Sequence, residues 1–345
     1  MQVILDIPEH QLLKLHEIRW LSLECVIKRI IEQYSTLITY FENEIKNNKK
    51  ENESASKILN NLKNPYTLIY YEFLSHVLHL VNVRNAEFQA EDTKIHLLHT
   101  KMETLFKSIV EMYIDENHVD MYDAEFIKFN EMTADWLPKS NIQIGPTAKA
   151  ELNSLSPATA SAEDKLKFRV VCRDFLIELA TQIDMRFPFK TRGIKMLREL
   201  AFIQPENLKN TADITEVAHQ FGYDVTLVHT EFKKLKKFFK LNTEMRANVF
   251  WSKVESLKDA NGEPEFPLMP QIVRKIKLLP HASANCEQVF SSVNLNKTKT
   301  RNRMETRSLC GILRSKSLIR KKKSVFQVNF KPMLKMLSSA KYEFN

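Results

Sequence analysis

The sequence predicts a mainly α-helical chain. Only five of its 345 residues are glycine, and apolar residues recur at intervals of three and four over long stretches. Its hydrophobic share of 43% is enough to bury one large core or two smaller ones.

The clearest helical stripe runs Trp20, Leu23, Ile27, Ile30, Tyr34, Ile38, Phe41 and Ile45, one helix that the polar run from Lys46 to Ser54 brings to an end. Tyr66, Ile69, Phe73, Val77 and Leu80 form a second stripe, and Ile95, Leu98, Met102, Leu105, Ile109 and Tyr113 a third. From Pro138 to Ala162 the periodicity dissolves into Gly145, Pro146, Ser154, Ser156, Pro157 and Ser161, which reads as a long surface connection. Helices resume with Val171, Phe175, Leu179 and Ile183, then Ile194, Leu197 and Leu200, then Val228, Phe232, Leu235 and Phe239 with lysines on the outer face. Thr243 is placed to cap a helix carrying Val249, Phe250, Val254 and Leu257. A break at Asn261-Gly262-Glu263-Pro264, followed by Pro267 and Pro270, predicts a domain boundary. No repeat of fixed period is present, which excludes solenoids and propellers.

Composition narrows the function classes. The four cysteines, Cys25, Cys172, Cys286 and Cys310, form no CxxC pair, which argues against a zinc ribbon and a disulfide framework and for a reducing compartment. No apolar run nears the roughly 20 residues that cross a bilayer, and the amino terminus does not read as a signal peptide. An intracellular chain with no membrane partner is expected. Net charge is +9, and it is uneven. Between Gln271 and Lys323 stand fourteen lysines and arginines against Glu287 and Glu305, a surplus of twelve, so the rest of the chain sums to −3. Such a block is the usual footprint of a polyanion, whose condensed counterions are released on contact, although a solvated face with excess lysine is the plainer reading.

Within that block the sequence reads Leu279-Pro280-His281-Ala282-Ser283-Ala284-Asn285-Cys286-Glu287-Gln288-Val289-Phe290-Ser291-Ser292-Val293-Asn294, followed by Lys297-Thr298-Lys299-Thr300-Arg301-Asn302-Arg303-Met304. This closely resembles the carboxy-terminal dimerisation signature of hAT-superfamily DNA transposases, in which proline and small residues precede a Glu-Arg-x-Phe-Ser core and Arg-Asn-Arg follows. Gln288 departs from it, since the family usually has arginine there. Arg19-Trp20-Leu21-Ser22 resembles the family's Arg-Trp motif, and more than two hundred residues of helical pattern between the two motifs match its helical insertion.

The resemblance implies a truncated RNase H-like core. Residues 1–18 would be its remnant, 19–260 the helical insertion domain with the loop 138–162, and 261–345 the dimerisation region with its basic tail. In the family, two strand-borne aspartates and one helix-borne glutamate hold two divalent ions at the scissile phosphate, and Glu287 matches that glutamate. The aspartates lie upstream of the Arg-Trp motif, where only eighteen residues precede Arg19, so neither they nor the family's zinc-binding DNA-recognition domain are expected in this chain. Asp6, after the apolar run Val3-Ile4-Leu5, is a single short strand's worth of sequence and cannot replace a sheet. The resemblance assigns Trp20 to stacking on a displaced base beside the Arg19 cation, while its spacing to Leu23 and Ile27 equally suits an ordinary amphipathic stripe.

His76 with His79, and His96 with His99, share helix faces as metal ligands can, but no cysteine or carboxylate motif completes a tetrahedral set, so ordinary helix-surface histidines are expected. Arg320-Lys321-Lys322-Lys323 resembles a nuclear-import signal, or a solvated basic turn. The reading is a nuclear, transposase-derived protein without enzymatic activity, cofactor or small-molecule substrate. It would self-associate through Val289, Phe290, Val293, Leu309, Ile312 and Leu313 and bind DNA non-specifically through Arg19, Trp20, Lys297, Lys299, Arg301 and Arg303. Two alternatives are a fragment of an active cut-and-paste transposase, which would require Mg²⁺, and a helical adaptor that binds only protein.

Overall fold

A computed structural model describes residues 20–47, 53–88, 94–239, 245–279, 284–298 and 303–322, with backbone alone at 20–21, 284–288 and 320–322. The described residues are mainly helical and form no strand beyond two isolated bridges, Ile114 with Trp136 and Lys258 with Pro264. No helix among them is long and apolar enough to cross a membrane.

The predicted first helix is two. α1 (Trp20–Glu32) and α2 (Tyr34–Asn47) part at Gln33, which is buried. Backbone hydrogen bonds run through the break, from Gln33 N–H to Arg29 O at 3.1 Å and from Leu37 N–H to Gln33 O at 2.9 Å. The two halves serve different partners, because α2 lies on α3 (Glu53–Lys63) and α1 on α4 (Pro65–Phe88). The α4 stripe buries Ile69, Phe73 and Val77, and α5 (Ile95–Val110) buries Leu105 and Ile109, as the periodicity requires. Tyr113 lies past the end of α5, fully enclosed, and its hydroxyl donates to Phe129 O at 3.0 Å.

After α6 (Glu116–Met121) comes the stretch predicted as a surface connection, and here the structure overturns the expectation. Ile142 and Ile144 are 1% exposed, and α7 (Pro146–Ser154) buries Ala148 and Leu152 one turn apart. Gly145 at φ +85° opens this helix and Pro146 occupies its first turn, where proline's missing N–H costs nothing. The residues that resembled a linker are therefore a helix start.

α8 (Ala162–Arg186) is capped by Ser161, which accepts from the Asp164 N–H at 3.1 Å. Its buried face includes Phe168, Cys172, Leu176 and Leu179: Leu179 is buried as predicted, while Val171 and Phe175 are exposed and their neighbours Cys172 and Leu176 are buried instead. These elements enclose the first core.

The second core follows in sequence. α9 (Arg192–Glu199) leads to Leu200 and Phe202, and α10 (Thr215–Gln220) and α11 (Val225–Phe238) add Val217, Val228 and Phe232. α12 (Ala247–Ser256) begins after Arg246, whose side chain makes no cap, and the predicted cap Thr243 lies outside the described residues. It buries Phe250, Trp251 and Val254, and the Trp251 indole N–H donates to Ile203 O at 2.7 Å. α5 links the two cores, with Ile95 in the second and Phe106 in the first.

The predicted boundary near residue 261 is also corrected. α13 (Met269–Lys277) buries Ile272, Val273 and Ile276 in the second core, and its first turn is capped from α11. The buried Glu231 carboxylate accepts the N–H groups of Leu268 at 2.9 Å and Met269 at 2.7 Å. Residues 264–279 thus close the helical body, and the division into two compact units falls between His281 and Ala282. The second unit contains α14 (Ala284–Asn296) and α15 (Thr306–Lys322).

Candidate nucleic-acid and self-association surface

In the second unit α14 and α15 pack on each other. Leu309 is buried, and Val293, Ile312 and Leu313 are half-buried. Asn296, 7% exposed, joins the helices: its amide donates to Ser292 O at 2.6 Å and its Oδ1 accepts Lys316 Nζ at 2.8 Å. Sequence reasoning passed over Asn296 because an asparagine at a helix end reads as a turn residue.

The six predicted self-association residues therefore divide. Four are buried or half-buried, whereas Val289 and Phe290 are 53% and 66% exposed and Leu295 reaches 75%. Lys297 and Arg303, at the two ends of the connection between the helices, are exposed, as are Arg307 and Arg314 on α15. This part of the chain thus presents exposed aromatic and aliphatic groups together with exposed cations, a combination suited to a polyanion that also offers apolar surface. Glu287 lies on α14 three residues before Phe290 and Trp20 opens α1, both outside the described side chains. Arg19, Lys299 and Arg301, and residues 1–18, lie outside the described residues altogether.

Part of the basic block belongs to the first unit and is engaged there. Arg274 pairs with Glu255, Lys275 stands 4.3 Å from the Tyr223 ring centroid, and Lys277 donates to Asn248 Oδ1 at 2.8 Å.

The first unit also contains a polar cleft of about 590 Å³ beside α5 and α9, floored by His99. Its charged groups are occupied. Glu103 accepts the Ala124 N–H at 3.0 Å, and Arg198 pairs with Asp123 at 2.8 Å. Glu199, whose carboxyl is pushed up by burial, caps α10 by accepting from Val217 N–H at 2.9 Å. At Asp213 burial opposes ionisation, but hydrogen bonds from Thr215 at 2.6 Å and His229 at 2.5 Å outweigh it and hold the carboxyl at about 2. These contacts hold the ends of α9 and α10.

The histidine pairs are separated in use. His79 Nδ1 contacts Glu24 at 3.1 Å and His96 Nε2 contacts Gln204 at 2.8 Å. His99 is not on the surface as expected but 7% exposed, with its ring against Phe187 and Phe189. Burial pushes its imidazole below the ordinary range, against the opposing charge of Glu103. Among the described residues no group of three or more His, Cys, Asp or Glu could hold a metal ion.

Glu24 is a second feature the sequence did not disclose. It is 7% exposed, and its two oxygens accept from Asn82 at 2.6 Å and Lys28 at 2.5 Å, which ties α1 to α4. Burial raises its carboxyl, and these bonds together with the His79 contact more than offset that.

In comparison with known proteins, the chain matches no family model, no curated protein and no solved structure.

Proposed function

We propose that this chain is a nuclear, transposase-derived protein that self-associates through its carboxy-terminal unit and binds DNA non-specifically through the same basic region. The observation that carries the reading is the exposure of Val289 and Phe290 on α14, next in sequence to the exposed cations Lys297 and Arg303. An exposed aromatic on a basic helical unit leaves apolar area in water that a second copy would remove. The resemblance to the hAT dimerisation signature points to the same segment, and Gln288 in place of arginine leaves that helix with one positive charge fewer.

Multi-angle light scattering with the full chain tests the association. A dimer at micromolar concentration is expected, and Phe290→Asp should dissociate it, because a carboxylate at an apolar contact has no partner there. A monomeric parent chain, or a Phe290→Asp variant that remains dimeric, overturns the reading.

A further inference from the structure

The structure leaves a hollow of about 270 Å³ at one end of the first core, where α4, α5 and α8 stop converging. On α4 the residues Val81, Arg84, Asn85 and Phe88 continue the face that upstream buries Phe73 and Val77. On α8 the residues Gln182, Ile183 and Arg186 do the same beyond Leu176 and Leu179. Each face is apolar where it meets the core and becomes amphiphilic in its last two turns, ending in an arginine-bearing rim. Leu105 and Leu179, 5% and 6% exposed, form a floor to which Met102 adds its thioether.

No carboxylate lines the hollow. Glu87, the acid paired with Arg84 among the described residues, lies 3.5 Å from that guanidinium and is held more closely by Lys101 at 3.0 Å on its other oxygen. Arg186 is exposed and has no ion pair among the described residues. The lining brings Arg84 and Arg186 together with apolar side chains, a combination suited to a carboxylate whose tail is aliphatic. At roughly 30 Å³ for each water-sized group, the hollow holds about nine of them, the size of a medium-chain monocarboxylate.

We propose that this hollow binds an aliphatic monocarboxylate, with the chain on Leu105, Leu179 and Met102 and the carboxylate between Arg84 and Arg186. The inference is independent of the proposed DNA binding, since none of these residues belongs to the second unit.

Octanoate is the probe, titrated into the full chain by calorimetry, with acetate supplying the charge without the tail and octanol the tail without the charge. Saturable one-site binding of octanoate with Kd at or below about 1 mM is expected, with octanol and acetate each at least about tenfold weaker. The double variant Arg84→Gln/Arg186→Gln should weaken octanoate at least about tenfold while leaving octanol unchanged, and Ile183→Trp, which fills the hollow, should abolish both. Thermal melts verify that the variants fold. No octanoate binding at 10 mM, equal affinity for octanoate and octanol, or undiminished octanoate binding by either folded variant overturns the proposal.

Discussion

Replacing Gly145 with alanine separates backbone strain from packing at the point where the sequence predicted a loop and the structure has a helix start. At φ +85° and ψ 154° Gly145 occupies a region that is essentially closed to side-chain-bearing residues, at a cost of about 1–3 kcal/mol. A Cβ there would stand 2.8 Å from His76 Cγ and 2.9 Å from His76 Cβ, the stem of a side chain on α4 rather than its mobile end. Forcing that overlap costs about 1–3 kcal/mol more, so Gly145→Ala should lose roughly 2–6 kcal/mol. Gly262→Ala is the control: φ is +86° and nothing lies within 4 Å of the added carbon, so only the backbone part is paid there. Urea unfolding followed by circular dichroism reads both, and a His76→Ala background, which removes Cγ but keeps Cβ, should recover part of the packing cost at Gly145 but nothing at Gly262. If Gly145→Ala costs no more than Gly262→Ala, or if His76→Ala recovers nothing, the packing of Gly145 against α4 is refuted.

Three further outcomes are expected. His99 is held neutral by burial in the folded state, so its pKa there is below the unfolded value of 6.5. Its contribution to stability is therefore complete above about pH 6.5 and is lost as pH falls below that, and His99→Phe should flatten the urea midpoint between pH 7.5 and 5.5. An unchanged pH slope in the variant would sink this account. Non-specific DNA binding through the basic residues of the carboxy-terminal unit should be electrostatic: with about six phosphates neutralised, log K falls against log salt with a slope near −5, roughly a thousandfold between 50 and 200 mM. Alanine at Lys297, Lys299, Arg301 and Arg303 should flatten that slope by about one unit per lost contact, and strong binding that ignores salt would rule it out. Finally, the 345-residue chain should not nick or hairpin transposon ends in Mg²⁺ or Mn²⁺, since Glu287 by itself cannot hold two divalent ions. Products above a Glu287→Ala control would show the opposite.

The sequence by itself determined the helical class and most of the core-facing residues, because the stripes through Ile69, Phe73 and Val77 and through Val228, Phe232 and Leu235 are set by local periodicity that burial then uses. It also marked the basic segment that contains Phe290, since charge and motif are read along the chain, whereas the exposure of that ring came from the structure. Tertiary structure alone decided whether Gly145-Pro146 and Pro264 to Pro270 were linkers or helix starts, because the same residues serve both and only the partner, α4 in one case and the Glu231 carboxylate in the other, distinguishes them. It decided the division at His281, the break at Gln33 between the half that meets α4 and the half that meets α3, and the burial of Cys172 and Leu176 on α8 rather than Val171 and Phe175. Glu24, Asn296 and the hollow between Arg84 and Arg186 were equally beyond local reading. Polar residues on a helix look solvated until a second helix, 58 residues away for Glu24 and 20 for Asn296, packs against them.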